Sequence, residues 1–138
     1  MRTATCRNVL LILCDQLRAD FLGAYAGPPV TPNIDRLARE GVVFDRAYCA
    51  CPACAPSRMT MLTGRHPACC PVRIPECVPT VADLLADAGY HTAALGKMHM
   101  DPPRGPYGFR EIVLSEDTGP GVFLDDFHRW LAGQGHVE

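Results

Sequence analysis

The residues best suited to do chemistry lie mid-chain. The string Cys54-Ala55-Pro56-Ser57-Arg58 leads into Met59-Thr60-Met61-Leu62-Thr63, and Gly64 stops it. Residues 57–63 read as a short helix, which puts Cys54 just before a helix start. Backbone N–H groups there lack intrahelical partners, and the helix dipole favours an anion. The same placement can activate a thiol. Arg58 lies one helical turn on and could face the same anion. These residue types read as a reactive cysteine or as a pocket for a phosphate-type oxyanion.

Two further polar groups follow apolar runs. Asp15 and Gln16 come after residues 8–14 (NVLLILC), and Lys97 and His99 come after residues 90–95 (YHTAAL). A second reading of the mid-chain cysteines is also open. Cys49, Cys51 and Cys54 have C-x-C-x2-C spacing, and Cys69, Cys70 or Cys77 could add a fourth thiolate for zinc or an iron–sulfur cluster. Asp20 and Asp35 read as turn and helix-surface groups. His66, His91, His128 and His136 read as surface or packing residues.

The elements that must position these groups alternate. Residues 8–14 form a continuous apolar run of strand length, as expected where both faces are covered. Thr31 is a good N-cap and Pro32 suits the first helical position, with Ile34, Leu37 and Ala38 at helical spacing and Gly41 to close the helix. Residues 42–48 read as a second strand. Residues 49–56 read as irregular because Pro52 and Pro56 interrupt them, and residues 65–79 as a loop. Thr80 and Asp83 have capping-box spacing before the apolar face of Val81, Leu84, Leu85 and Ala88. Residues 90–95 read as a third strand and 101–108 as a Pro/Gly loop. Phe123, Phe127, Trp130 and Leu131 fit a final helix, with Asp125 and Asp126 near its start and Trp130 in the core.

Strand, helix, strand, helix, strand is the order of an α/β protein with a mostly parallel sheet flanked by helices. Ligands in such sheets bind beyond the carboxyl ends of the strands. Asp15 and Gln16, residues 49–58, and Lys97 with His99 all fall there.

Composition bounds the rest. The chain has 138 residues, the size of one domain, with 48% hydrophobic and 20% charged residues, which excludes wholesale disorder. Lys plus Arg is 13 and Asp plus Glu is 15, a formal charge of −2, so no basic excess marks a nucleic-acid binder. The apolar run near the start is too short to cross a bilayer, and charged residues follow it directly. The expectation is a soluble, cytoplasmic chain with no membrane partner. Eight cysteines could form a disulfide framework, but the ample core does not need one. Oligomeric state is not legible.

The string CAPSRMTMLTGR resembles the signature of the type I sulfatases, in the alkaline-phosphatase superfamily. Three other blocks accompany it in order. Residues 8–20 (NVLLILCDQLRAD) resemble the family's N-terminal strand with its metal-binding aspartate. Residues 31–38 (TPNIDRLA) resemble the helix that follows. Gly96-Lys97-Met98-His99 resembles the family's G-K-x-H segment. The likeness runs from about residue 8 to at least residue 109.

The resemblance implies an alkaline-phosphatase/sulfatase-like fold and a sulfuric ester hydrolase. Cys54 would be oxidised to formylglycine by a formylglycine-generating enzyme and then hydrated. One hydroxyl would attack sulfur in a small sulfate ester and expel the alcohol, and loss of the second hydroxyl's proton would re-form the aldehyde and release sulfate. Asp15, Gln16 and residue 54 would bind a divalent cation, Ca²⁺ first and Mn²⁺ or Mg²⁺ as alternatives. Arg58 would hold the formylglycine oxygens. Lys97 and His99 would contact sulfate, and His99 would help protonate the leaving group. Gln16 departs from the usual Asp-Asp pair and supplies no charge. Some members with an Asp-Gln start resemble choline-sulfatase-like or phosphonate monoester hydrolase-like enzymes. The same machinery acting on phosphonate monoesters or phosphodiesters is therefore an alternative, as is a non-catalytic metal-binding module built on the cysteines. Asp125 and Asp126 read as part of a surface helix and as poor substitutes for the family's downstream metal ligands. Residues 1–138 thus read as the truncated N-terminal portion of a sulfatase-like catalytic domain, with an incomplete site.

Overall fold

The computed structural model describes residues 8–25, 27, 30–69, 73–105, 107–116 and 124–136. The chain forms two compact units, Met1–Ala47 and Tyr48–Glu138.

In the first unit, residues 8–14 carry no ladder. Val9 to Leu13 are 49 to 84% exposed. Residues 42–48 are likewise outside any strand, and Val42 and Phe44 are exposed. Both expected strands are corrected here. An apolar run shows that a segment favours burial, but a strand needs a neighbour to pair with, and among the described residues neither run has one. Two 3-10 turns, Ala19–Phe21 and Gly23–Tyr25, precede α1, Pro32–Glu40. Pro32 opens α1, and Gly41 closes it with its N–H on the Leu37 carbonyl at 2.8 Å. The Thr31 hydroxyl does not cap this helix. It accepts from the Gly23 N–H at 2.9 Å and donates to Asp35 Oδ1 at 2.8 Å. Asp35 also accepts the Ala24 N–H, so it ties α1 to the preceding turn rather than only facing water.

In the second unit, α2 spans Cys54–Thr63. It starts three residues before the expected helix, because Pro56 falls in the first turn. N–H groups there have no intrahelical acceptor, so proline removes no bond. Gly64 ends α2 in the left-handed region (φ 67°). Met59 and Leu62 are buried with Ile74, Val78, Met100 and Tyr107, and Met98 and Phe109 pack against them. Met59 has no exposed surface, a burial worth about 1.5–3 kcal/mol. This core pins α2 against the segment that carries residues 98 and 100.

Helix α3 (Val81–Asp87) has the capping box expected of Thr80 and Asp83. The Thr80 hydroxyl also donates to the Tyr107 carbonyl at 2.8 Å. Strands β1 (Ala93–Gly96) and β2 (Glu111–Leu114) pair in parallel, with Ala93 opposite Glu111 and Gly96 opposite Leu114. Strand β1 overlaps the expected third strand. Strand β2 was not foreseen, although Ile112, Val113 and Leu114 are a short apolar run that could have signalled it. Helix α4 covers Asp126–Gly133; Phe123, expected at its start, lies outside the described residues. Trp130 is 59% exposed and stacks on Phe127, so it is a surface residue and not a core one. The architecture is α/β with a parallel strand pair, as expected. Among the described residues no helix is long and apolar enough to cross a membrane.

Candidate functional site

The site in the second unit is built from one helix start and one strand end. Cys54 is the first residue of α2 and is partly buried. Ala53 precedes it with no side-chain cap, so the first-turn N–H groups keep their capacity for an anion. Strand β1 stops at Gly96. The segment after it places Met98 against the core and buries Met100, with His99 between them. His99 Nδ1 lies 3.3 Å from Cys54 Sγ. Arg58, one turn into α2, donates from Nη1 to the Lys97 carbonyl. Four residues from two separate sequence blocks therefore meet. Cys54 contacts His99, and Arg58 holds the backbone of Lys97.

Arg58 does more than the sequence suggested. Besides adding positive charge beside the helix start, its guanidinium braces the loop that carries Lys97 and His99. A planar, permanently charged group suits that double duty better than lysine would.

Asp15 and Gln16 belong to the first unit, on a turn directly after residues 8–14. Both are exposed, and Gln16 has a left-handed backbone (φ 55°). One carboxylate and one amide oxygen are hard donors and fit a hard cation. They fill only part of a shell of about six to eight oxygens. Among the described residues, no group of three or more His, Cys, Asp or Glu side chains could hold a metal ion. The cysteine-cluster reading fares no better: among the described residues, which include Cys49, Cys51, Cys54, Cys69 and Cys77 but not Cys70, no three such side chains come together.

Sequence reasoning missed the support beneath His99. The Glu116 carboxylate accepts the Met98 N–H at 3.0 Å and the His99 N–H at 2.9 Å. The Glu116 N–H in turn donates to Asp125 Oδ2 at 2.6 Å. Asp125 caps α4, accepting the His128 N–H at 2.8 Å, and its side chain is fully buried. This corrects the surface placement expected for Asp125, and it gives His128 a partner through Nδ1. Burial pushes the Asp125 carboxyl up, but the His128 and Glu116 backbone N–H groups and the His128 ring outweigh it and leave the carboxyl below the usual range. The Arg104 guanidinium, 2.6 Å away, holds the Asp126 carboxyl down, helped by the Leu114 N–H. Backbone N–H groups carry no sequence signature, so residue spacing could not have pointed to Glu116.

A family model described as Sulfatase matches residues 7–119. The chain belongs to the sulfatase family. Among its sulfatase relatives, it is 40% identical over 116 residues to the arylsulfatase of Clostridium perfringens, covering 79% of this chain and 24% of that protein. It is 36% identical over 134 residues to human arylsulfatase A, covering 82% of this chain and 26% of that protein. It is 37% identical over 100 residues to the uncharacterized sulfatase YidJ of Escherichia coli, covering 68% of this chain and 20% of that protein. The crystal structure of Ps i-CgsB superposes with a TM-score of 0.64 at 34% identity, over 85% of this chain and 29% of that one. This sulfatase sequence thus spans about a quarter of the length of the curated relatives it matches.

Proposed function

We propose that the chain carries the nucleophile-bearing part of a sulfuric ester hydrolase in which residue 54 works as formylglycine. The observation that carries this reading is the meeting of Cys54, at the first position of α2, with His99 Nδ1 at 3.3 Å, while Arg58 secures the Lys97 carbonyl. Sulfatase names among the relatives support sulfate as the group attacked. No observation favours phosphonate esters or a cysteine-held metal.

The residues divide the work by their chemistry. The N-terminal N–H groups of α2 and the Arg58 charge favour an anionic sulfate near residue 54. Lys97 adds a cation from the loop that Arg58 holds. His99 stands where it can take a proton from residue 54 or give one to a departing alcohol. Asp15 and Gln16 would contribute hard oxygen donors to a divalent cation, and when bound that cation would supply Lewis acidity to the reaction. The formylglycine-generating enzyme would be the maturation partner, and a small-molecule sulfate ester the substrate.

The test is turnover of an aryl sulfate by the natural full-length protein co-produced with a formylglycine-generating enzyme. A matched aryl phosphonate ester and the Cys54→Ala variant serve as references. Sulfate release that Cys54→Ala abolishes, and that exceeds phosphonate cleavage, supports the reading. Equal activity in Cys54→Ala, or cleavage of the phosphonate alone, rejects it.

A further inference from the structure

His99 has a left-handed backbone (φ 53°). Residues other than glycine adopt that region at a steric cost, so something must offset it. Two consecutive N–H groups, those of Met98 and His99, converge on the Glu116 carboxylate, and both of its oxygens take part. Successive N–H groups turned to one side by such a backbone form a concavity suited to an anion, and here a side chain of the same chain fills it. Glu116 is itself held, because its N–H is fixed on the buried Asp125 at the start of α4.

We propose that Glu116 is a positioning residue that clamps the backbone of residues 98 and 99 and so keeps the His99 imidazole against residue 54. The start of α4 thereby reaches the site through three links: Asp125 holds Glu116, Glu116 holds the His99 backbone, and the His99 ring meets Cys54. Glu116 acts on the backbone of residues 98 and 99, and so on residue 54 only through His99. The role rests on the site proposed above, but its test does not need sulfatase turnover.

The assay is the alkylation rate of Cys54 by iodoacetamide in the full-length, unconverted protein, read by the mass of the residue-54 peptide. The imidazole assists by taking the thiol proton as sulfur displaces iodide. Glu116→Ala is expected to slow Cys54 about fivefold, the equivalent of a ~1 kcal/mol hydrogen bond. Simple loss of a negative charge would instead speed alkylation, so the sign alone discriminates. In a His99→Ala background the same substitution is expected no longer to slow alkylation, because two residues acting through one contact are not additive. Glu116→Gln keeps an acceptor oxygen and is expected to stay within about twofold of wild type. Glu116→Asp keeps the charge but is one methylene short; it is expected to slow alkylation, and it serves if alanine lowers the folded fraction. An unchanged rate in the folded Ala or Asp variant, an equal effect in both backgrounds, or a Gln variant as slow as Ala would each overturn the proposal. Absence of sulfate release from the converted wild type would count against the functional reading and leave this result standing.

Discussion

Replacing Asp125 by alanine should loosen α4 and the end of β2 together. The side chain is fully buried and serves two backbone donors through different oxygens. Oδ1 accepts the His128 N–H at 2.8 Å, and Oδ2 accepts the Glu116 N–H at 2.6 Å. Loss of the helix cap costs about 0.5–2 kcal/mol. Loss of the charged acceptor for Glu116 costs about 1.5–3 kcal/mol. The His128 ring is about one-third exposed, so its bond adds little beyond these two. The expected loss is therefore about 2–5 kcal/mol, a large share of a domain's stability, and the urea midpoint should fall by upward of about 1 M. The fluorescence of Trp130, the single tryptophan, reports on α4 directly. Asp125→Asn keeps one acceptor oxygen and should lose roughly half as much. The folded carboxyl is held below its ordinary value. Its contribution is therefore present above the unfolded value of about 3.9 and is lost as pH falls through the folded one. Wild type should accordingly show an added loss below about pH 4 that Asp125→Asn lacks. Destabilisation under about 1 kcal/mol by alanine, with no difference between Ala and Asn, would refute the reasoning.

Other perturbations follow from the same contacts. Arg58→Lys keeps the charge but lacks the planar fork that reaches the Lys97 carbonyl; kcat/KM for an aryl sulfate should fall about 10- to 100-fold, the equivalent of ~1.5–3 kcal/mol, in a protein that still melts normally. Gly108→Ala meets both a left-handed backbone (φ 78°) and the Asp83 backbone nitrogen, which the new Cβ would overlap, and should cost about 2–5 kcal/mol in a thermal or urea melt. Gly64→Ala, with a similar φ of 67° and open space around it, should cost only about 1–2 kcal/mol. Asp15→Ala in the full-length protein should lower affinity for a divalent cation by at least about 10–100-fold in a metal-binding titration.

The helices were the legible part of this fold. Thr80 with Asp83 and Pro32 with Gly41 are local signals whose physics is complete within a few residues. Pro56 misled only because its position within the first turn, where it does no harm, is invisible until the helix start is known. The strands were less legible. Residues 8–14 and 42–48 have strand composition, yet pairing depends on neighbours, and among the described residues only β1 and β2 supply them for each other. In the site, Cys54, Arg58, Lys97 and His99 could be picked out because their types and their family-like strings survive in sequence. The links to the Lys97 carbonyl and from Glu116 to two N–H groups could not, because every residue has that backbone and only the fold decides which is used. Asp125 and Trp130 exchanged their expected places for the same reason. A carboxylate can be buried when it gains enough donors, and an indole on a short terminal helix can remain in water.

The central claim concerns the chemical state of residue 54, and a mass spectrum of the peptide spanning it tests this most directly. The protein should be taken from the cells that naturally make it. The account predicts a peptide in which residue 54 has exchanged sulfur and two hydrogens for one oxygen, with the remaining cysteines still thiols. A peptide carrying an intact thiol at position 54 in every molecule would contradict it.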